Sequence, residues 1–303
     1  MAKISVIVTV LNEEATIKRL LDGLINQTLK PNEIIIVDGG STDNTWSILN
    51  KFAPPLRLRG GRGVIFKKFQ KPGNRAVGRN YSISQSKSKI IAFTDAGCIP
   101  DPDWLAELTK PFSSLTVEVV SGYYRGLSEN IFQKCLIPYV LVMPDQIKGE
   151  FLPSTRSMAM RKGVGLFDER LNHNEDYAFA NTLKKKGIKF YFAQKAVVGW
   201  LPRKNLRQAA WMWLRFAIGD VQAGIFRPKV KLIFIRYYLF FFLIFVNYRF
   251  GLLVIPYLMW SIFKNFKYVR NIRALYWLPV LQLTADTMVI FGTIMGLLSQ
   301  TKK

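Results

Sequence analysis

Acidic residues stand at three places in this chain where a ligand would meet them. Asp38 follows the apolar run Glu33 to Val37, and Asp95 follows Lys89 to Phe93. Glu175 and Asp176 head a helical segment beyond a later loop. An open α/β sheet binds its ligand in the crevice beyond the carboxyl ends of its strands, so these carboxylates are set to face it. Neighbouring motifs narrow the chemistry. No Walker sequence occurs, and no G-x-G-x-x-G follows a strand. Gly60-Gly61-Arg62-Gly63 lacks the frame that a phosphate loop needs. ATPase and dehydrogenase chemistry are disfavoured on that ground. His173 is the only histidine. It could donate to a phosphate, ligate a metal or lie on a loop surface, and no second His or Cys beside it makes a zinc site. Cys98 and Cys135 form no CxxC pattern and read as free thiols of a reducing compartment.

The elements that must position these residues follow a βαβ rhythm. Ile4 to Val10 is a β-branched run and reads as a buried parallel strand. Thr16 to Asn26 has helical periodicity through Ile17, Leu20, Leu21, Leu24 and Ile25. Glu33 to Val37 is a second strand, followed by the turn Asp38-Gly39-Gly40-Ser41-Thr42-Asp43 and a helix through Trp46 to Leu49. Pro54-Pro55 opens an irregular basic stretch through Arg57, Arg59, Arg62, Lys67, Lys68 and Lys71. Asn74 to Ser84 reads as a helix and Lys89 to Phe93 as a third clear strand. Val117 to Tyr124 reads as a strand and Asn130 to Val142 as a helix. Asp176 to Lys186 is a helix stopped by Gly187, and Ile188 to Phe192 and Ala196 to Val198 are short strands. Strands alternating with helices predict an α/β sheet, ending near Trp200.

Beyond Trp200 the composition changes. Leu206 to Val221, with Trp211, Trp213, Arg207 and Arg215, reads as an amphipathic helix at a membrane surface; docking on the soluble part is the rival reading. Three apolar segments follow, at about 232–247, 250–263 and 275–298, against the roughly 20 residues that a span needs. Arg227, Lys229 and Lys231 fringe the first. Lys264, Lys267, Arg270 and Arg273 follow the second, a positive-inside pattern. Two or three spans are expected. Asp286 inside the last is unfavourable unless paired, and Arg236 is a candidate partner. The formal net charge of +23 therefore reads as a basic face against anionic lipid rather than as a nucleic-acid footprint, because the charge borders apolar runs. The short strand after Lys3 is not a signal peptide, so the catalytic part is expected in the cytoplasm of an integral membrane protein, at the cell membrane if the source is prokaryotic.

The ordered set of motifs resembles the family 2 glycosyltransferases over roughly the first 200 residues. Its pieces are Ser5-Val6-Ile7-Val8-Thr9-Val10-Leu11-Asn12-Glu13-Glu14, Ile35-Ile36-Val37-Asp38-Gly39-Gly40-Ser41-Thr42-Asp43, Gly78-Arg79-Asn80, Ala92-Phe93-Thr94-Asp95-Ala96-Gly97-Cys98 and Asn174-Glu175-Asp176-Tyr177. The resemblance implies an α/β, GT-A nucleotide-diphospho-sugar transferase domain at 1–200. An interfacial region at 201–228 and an α-helical membrane domain at 229–303 would follow it.

By that resemblance Thr9, Leu11 and Glu13 lie along base and ribose, and Asp38 accepts a hydrogen bond from the base. A carboxylate can only accept, so it selects an N–H edge. Arg75 and Arg79 are candidates for the diphosphate, which an Arg fork matches. Asp95, with Ala96 beside the donor, corresponds to the first acid of the family's DxD motif, which holds Mg2+ or Mn2+ on the diphosphate. Gly97 replaces the second acid, so one side-chain ligand stands where two are common. Asp176 is implied as the general base of an inverting transfer and Glu175 as the residue that orients the loop or acceptor. Arg156 and His173 are placed on the acceptor side. The Q-x-x-R-W element of processive synthases is absent, although Arg207-Gln208-Ala209-Ala210-Trp211 lies nearby. The implied partners are a nucleotide-diphosphate sugar, a polyprenyl-linked or other lipid-linked acceptor and anionic lipids, with no nucleic acid. A polyprenyl-phosphate sugar synthase and a non-catalytic nucleotide-sugar-binding membrane protein are the alternatives.

Overall fold

The computed structural model of the protein describes residues 2–52 and 63–300. The expected basic and glycine-rich stretch through Pro54, Pro55, Arg57, Arg59, Gly60, Gly61 and Arg62 lies outside the described residues, as do Lys302 and Lys303. The chain divides into two compact units. Met1–Arg125 with Pro144–Trp200 forms the first, and Gly126–Met143 with Leu201–Lys303 the second.

The elements in chain order are β1 (Ile4–Val10), α1 (Ile17–Ile25), β2 (Glu33–Asp38), α2 (Thr45–Lys51), β3 (Ile65–Gln70), α3 (Arg75–Gln85), β4 (Ile90–Phe93) and β5 (Cys98–Pro100). They continue as α4 (Trp104–Thr109), β6 (Val119–Gly126), α5 (Ile131–Val140), β7 (Met158–Arg161), α6 (Glu175–Lys185) and β8 (Phe190–Trp200). Four more helices complete the described chain: α7 (Leu206–Gln222), α8 (Pro228–Val246), α9 (Val254–Val269) and α10 (Ala274–Gln300). The strands make one mixed sheet in the order β3-β2-β1-β4-β7-β6-β8-β5. β3, β2, β1 and β4 run parallel, so the carboxyl ends of β2 and β4 share one edge. β7 is antiparallel to β4 and β6, and β5 is antiparallel to β8.

The parallel strands are Val- and Ile-rich because both of their faces are covered. Val6, Val8, Ile34 and Ile36 pack in one layer with Ile17, Leu20, Leu21 and Leu24 of α1. Ile7, Ile35, Ile91 and Phe93, on the alternate face, pack with Ala76 and Ile83 of α3 and Phe179 and Leu183 of α6. Gly78 lets α3 sit directly on β1, since a Cβ there would lie 2.9 Å from Thr9 Cγ2.

The structure departs from the sequence reading at four strands. β3 runs over Ile65–Gln70, through Lys67 and Lys68, where the sequence predicts an irregular basic stretch holding only a short strand at Val64 to Phe66. β5 and β7 were not expected, and β8 is one strand of 11 residues rather than two short ones. Met158-Ala159-Met160-Arg161 lacks β-branching and is a strand because β4 and β6 pair with it on both sides.

In the second unit α7 packs on α10, an arrangement that neither sequence reading of that helix contained. Cβ atoms built at Gly292 and Gly296 would lie 2.5 Å from the Leu214 carbonyl oxygen and 2.8 Å from Val221 Cβ. Two glycines four residues apart therefore flatten one face of α10 for α7. α5 joins the same unit: Phe132 meets Trp277 edge-on at 4.9 Å, and the Tyr139 hydroxyl donates to the Leu278 carbonyl at 2.8 Å. Among the described residues one helix, Ala274–Ser299, is long and apolar enough to cross a membrane. α8 has 19 residues but carries Lys229, Lys231 and Arg236, and α9 has only 16. Asp286 of α10 is buried and accepts from Arg236 Nη2 (2.8 Å), from the Tyr237 and Tyr257 hydroxyls and from Gln282 Nε2 (3.1 Å). Arg236 is the partner that the sequence nominated.

Candidate active site

Two loops at the carboxyl edge of the sheet are bolted together by short polar side chains. Asn12, in the left-handed region at φ 56°, donates its amide to Ser41 Oγ (2.9 Å) and accepts from the Thr42 amide at Oδ1 (2.8 Å). The Glu13 amide donates to Thr45 Oγ1 (2.7 Å), and the Glu14 carboxylate takes the Asn44 amide (3.0 Å). Gly40, at φ 104°, turns the chain after Asp38. Asp38 pairs with Val10 in the β1–β2 register, so Thr9 and Leu11 flank its partner, and Glu13 is held against Thr45. Leu11 is 53% exposed, an apolar side chain left at the mouth.

Asp38 is wholly buried. Its Oδ1 accepts from the Gly40 amide (3.2 Å), the Ser41 amide (2.9 Å) and Ser41 Oγ (2.7 Å). Its Oδ2 is buried with no hydrogen-bond partner among the described residues. A buried carboxylate oxygen left so is unfavourable, and it is suited to an incoming N–H.

Arg79 organises the other acids. It is 3% exposed, and Nη1 donates to Glu175 Oε1 (2.5 Å) while Nη2 donates to Asp95 Oδ1 (3.1 Å). The Phe167 ring lies 5.4 Å from the guanidinium. Burial alone would lower the Arg79 pKa, but Asp95, Glu175 and Asp176 raise it, so the residue stays charged. Its fork is thus spent on protein carboxylates rather than held open for a diphosphate. Arg75, at the first position of α3, is exposed.

Asp176 opens α6 next to Glu175. Its Oδ2 accepts from Ser154 Oγ (2.8 Å) and its Oδ1 from the Tyr177 amide (2.8 Å). Burial pushes its pKa up, yet the charges of Arg156 and Arg79, with these two donors, hold it below the usual carboxylate range. Arg156 rests against Trp200 (4.9 Å) and Tyr124 (5.3 Å). His173 is half-buried in the loop before α6. Ala96 is buried behind Asp95, and a Cβ at Gly97 would meet nothing within 4 Å.

The structure thus brings Arg79, Asp95, Glu175, Asp176 and Arg156 into one charged cluster, with Asp38 in a separate loop pair on the same sheet edge. Sequence reasoning missed Ser154 as a partner of Asp176, and Tyr124, Phe167 and Trp200 as the aromatic surfaces under the arginines. Ser154 stood in the segment next to Arg156, but no spacing marked it. Asp95 is one-third exposed, with one oxygen on Arg79. No group of three or more His, Cys, Asp or Glu able to hold a metal occurs among the described residues. One carboxylate fits a cation that takes its remaining ligands from substrate phosphates and water, as Mg2+ does.

Residues 5–165 match the profile of Glycosyl transferase family 2. The chain belongs to that family. This family 2 chain is 28% identical over 200 residues to the UDP-Glc:alpha-D-GlcNAc-diphosphoundecaprenol beta-1,3-glucosyltransferase WfaP of Escherichia coli, covering 62% of this chain and 73% of that protein. It is 32% identical over 121 residues to glycosyltransferase AglE of Haloferax volcanii, 39% of this chain and 38% of that protein. The matched stretch spans only 18% of glycosyltransferase GlyA of Streptococcus pneumoniae. Among solved structures, the mannosyltransferase PcManGT from Pyrobaculum calidifontis, in complex with GDP-Man and Mn2+, has a TM-score of 0.62 at 19% identity. The match covers 98% of this chain and 87% of that one. That likeness fixes the GT-A-like fold of this family 2 chain.

Proposed function

We propose that this chain is an inverting glycosyltransferase that moves a sugar from a nucleoside-diphosphate donor to a membrane lipid-linked acceptor. The observation that carries the reading is the convergence on Arg79, which ties Asp95 of the strand-end loop to Glu175 and holds Asp176 beside them. Asp38 supports the donor half: its unpartnered Oδ2 accepts an N–H of the nucleobase, while Thr9, Leu11 and Glu13 line base and ribose. Arg75 supplies an exposed positive charge for the diphosphate, and Arg79 positions the acids. A divalent cation, Mg2+ or Mn2+, would be held by Asp95 and the diphosphate and would offset the charge of the leaving group.

Asp176 is the general base. Ser154 and the Tyr177 amide fix its carboxylate, and the neighbouring arginines keep it ionised at neutral pH. It takes the proton of the acceptor hydroxyl as that oxygen bonds to the anomeric carbon. The bond from that carbon to the diphosphate oxygen breaks on the opposite face, and the configuration inverts. Glu175, buried on Arg79, holds the head of α6, and His173 borders the acceptor entrance.

The apolar helix Ala274–Ser299, with the shorter apolar stretches of α8 and α9, anchors the enzyme. Their basic fringes lie against anionic lipid, and the catalytic unit faces the cytoplasm. A lipid-linked acceptor fits that anchoring, and the Escherichia coli relative is named for a diphosphoundecaprenol acceptor.

The test is nucleoside-diphosphate release by the detergent-purified protein. UDP- and GDP-sugars would be offered with polyprenyl-linked acceptors, with and without Mg2+ or Mn2+, beside Asp176→Asn. Acceptor-dependent release that falls by roughly 10²–10⁴ in the variant is expected. Release unchanged in Asp176→Asn would overturn the assignment of the base. Binding of donors without release would favour a non-catalytic receptor.

A further inference from the structure

Arg156 is held in place but uncommitted. The loop before β7 is closed by the Ser157 amide on the Ser154 carbonyl (2.9 Å). Ser157 Oγ accepts from Trp104 Nε1 (2.9 Å) and donates to the Ala196 carbonyl (3.1 Å). Thr155 is 1% exposed, so the backbone that carries Arg156 is fixed on both sides. The guanidinium rests against the rings of Trp200 and Tyr124. Yet its Nε is buried with no hydrogen-bond partner, and no carboxylate forms an ion pair with it among the described residues.

Arg79, in the same cluster, shows the contrast, because both arms of its fork are paired, Nη1 with Glu175 and Nη2 with Asp95. A guanidinium has five donors in a planar fork, and leaving one buried and unmade is unfavourable. The rings occupy the faces that they touch, so a partner approaches the N–H edge, where the fork matches paired oxygens of an oxyanion. Burial alone would lower the Arg156 pKa, but Tyr124, Asp95 and Asp176 raise it, and the charge is permanent. The carboxylates of the cluster act on it at longer range without capturing it.

We propose that Arg156 is a preformed receptor for a phosphoryl group of a substrate in this site, either the diphosphate of the donor or a phosphate borne by the acceptor. The inference rests on the glycosyltransferase reading and adds a second phosphate contact where Gly97 leaves the metal motif short of an acid.

Binding to the full-length protein in detergent tests it. UDP and GDP with Mg2+ probe the donor source. Farnesyl phosphate, with farnesol as its neutral control, probes the acceptor source. Arg156→Gln is expected to weaken one of the two phosphate probes by roughly ten- to a hundredfold and to leave farnesol unchanged. Arg156→Lys, which keeps the charge without the fork, is expected to fall between and serves if the Gln variant does not fold. The probe that weakens identifies the source. Wild-type binding that both variants leave intact overturns this inference alone. Wild-type protein that binds neither nucleotide nor farnesyl phosphate overturns it together with the glycosyltransferase reading.

Discussion

Asp38 and Asp176 are both acids of the site, but their surroundings prepare them for opposite tasks. Asp38 Oδ1 is taken by the Gly40–Ser41 turn and Oδ2 is the oxygen proposed to meet the nucleobase, so Asp38→Asn retains an acceptor for the turn and would offer the base a donor instead. The variant is expected to fold and to bind UDP or GDP roughly ten- to a hundredfold more weakly, read by titration calorimetry. Asp176 has its pKa lowered despite burial, through Arg156, Arg79, Ser154 and the Tyr177 amide. In the proposed role of general base it acts deprotonated, so kcat/KM should stay level as pH falls from neutrality and drop only below the ordinary Asp range. Arg156→Gln removes one of the lowering charges, and the acid limb of the kcat/KM profile should move to higher pH. Gly97 faces open space. In the proposed metal site, Gly97→Asp should therefore set a second carboxylate near Asp95 and lower the Mg2+ concentration that half-saturates activity. Asp38 and Asp95 were legible in the sequence because each follows an apolar strand, and Asp176 because it heads a helical segment beside Glu175. Trp200 and Tyr124 were not, because antiparallel pairing far along the chain brings them to Arg156.

At the scale of elements, the amino end of β2 shows how the sheet tolerates a buried acid. Glu33 is 3% exposed and accepts from Ser5 Oγ (2.5 Å), Lys67 Nζ (2.6 Å) and the Lys87 amide (2.8 Å). Burial would raise its pKa, but these partners outweigh it and the value is lowered. The associated stability is present above the ordinary Glu range and is lost as pH falls through the depressed folded value. Lys67→Met strands the carboxylate and is expected to destabilise the protein by about 3 kcal/mol, read as a lowered melting temperature whose deficit shrinks in acid. β1, β2 and β4 were legible as runs of Val and Ile covered on both faces. β5 and β7 were not, for three or four residues carry no period, and Ala193-Gln194-Lys195 hid the continuity of β8. Glu33 itself read only as the start of a strand, since nothing local announces Lys67 or Ser5 as its partners.

At the scale of the whole molecule, the positive charge and the late apolar runs made the two-part character of the chain visible from composition alone. The number of spanning helices was less legible, because length and charge count must both be met, and among the described residues α10 alone meets them. Asp286 has partners on α8 and α9 and a fourth donor on its own helix. Asp286→Leu is expected to leave Arg236 without its anion and to lower the melting temperature in detergent by several degrees, with Asp286→Asn closer to wild type. The membership of α5 in the second unit bears on how the protein could be cut. The chain passes between the units at residues 125–126, 143–144 and 200–201. Truncation after Trp200 would therefore not release a clean soluble enzyme. It would strip α5 of Trp277, of the Leu278 carbonyl and of the Pro202 carbonyl that Gln133 holds at 3.1 Å, exposing the face of Phe132 and Tyr139 to water. A fragment free of that exposed face needs 126–143 excised as well as the tail removed.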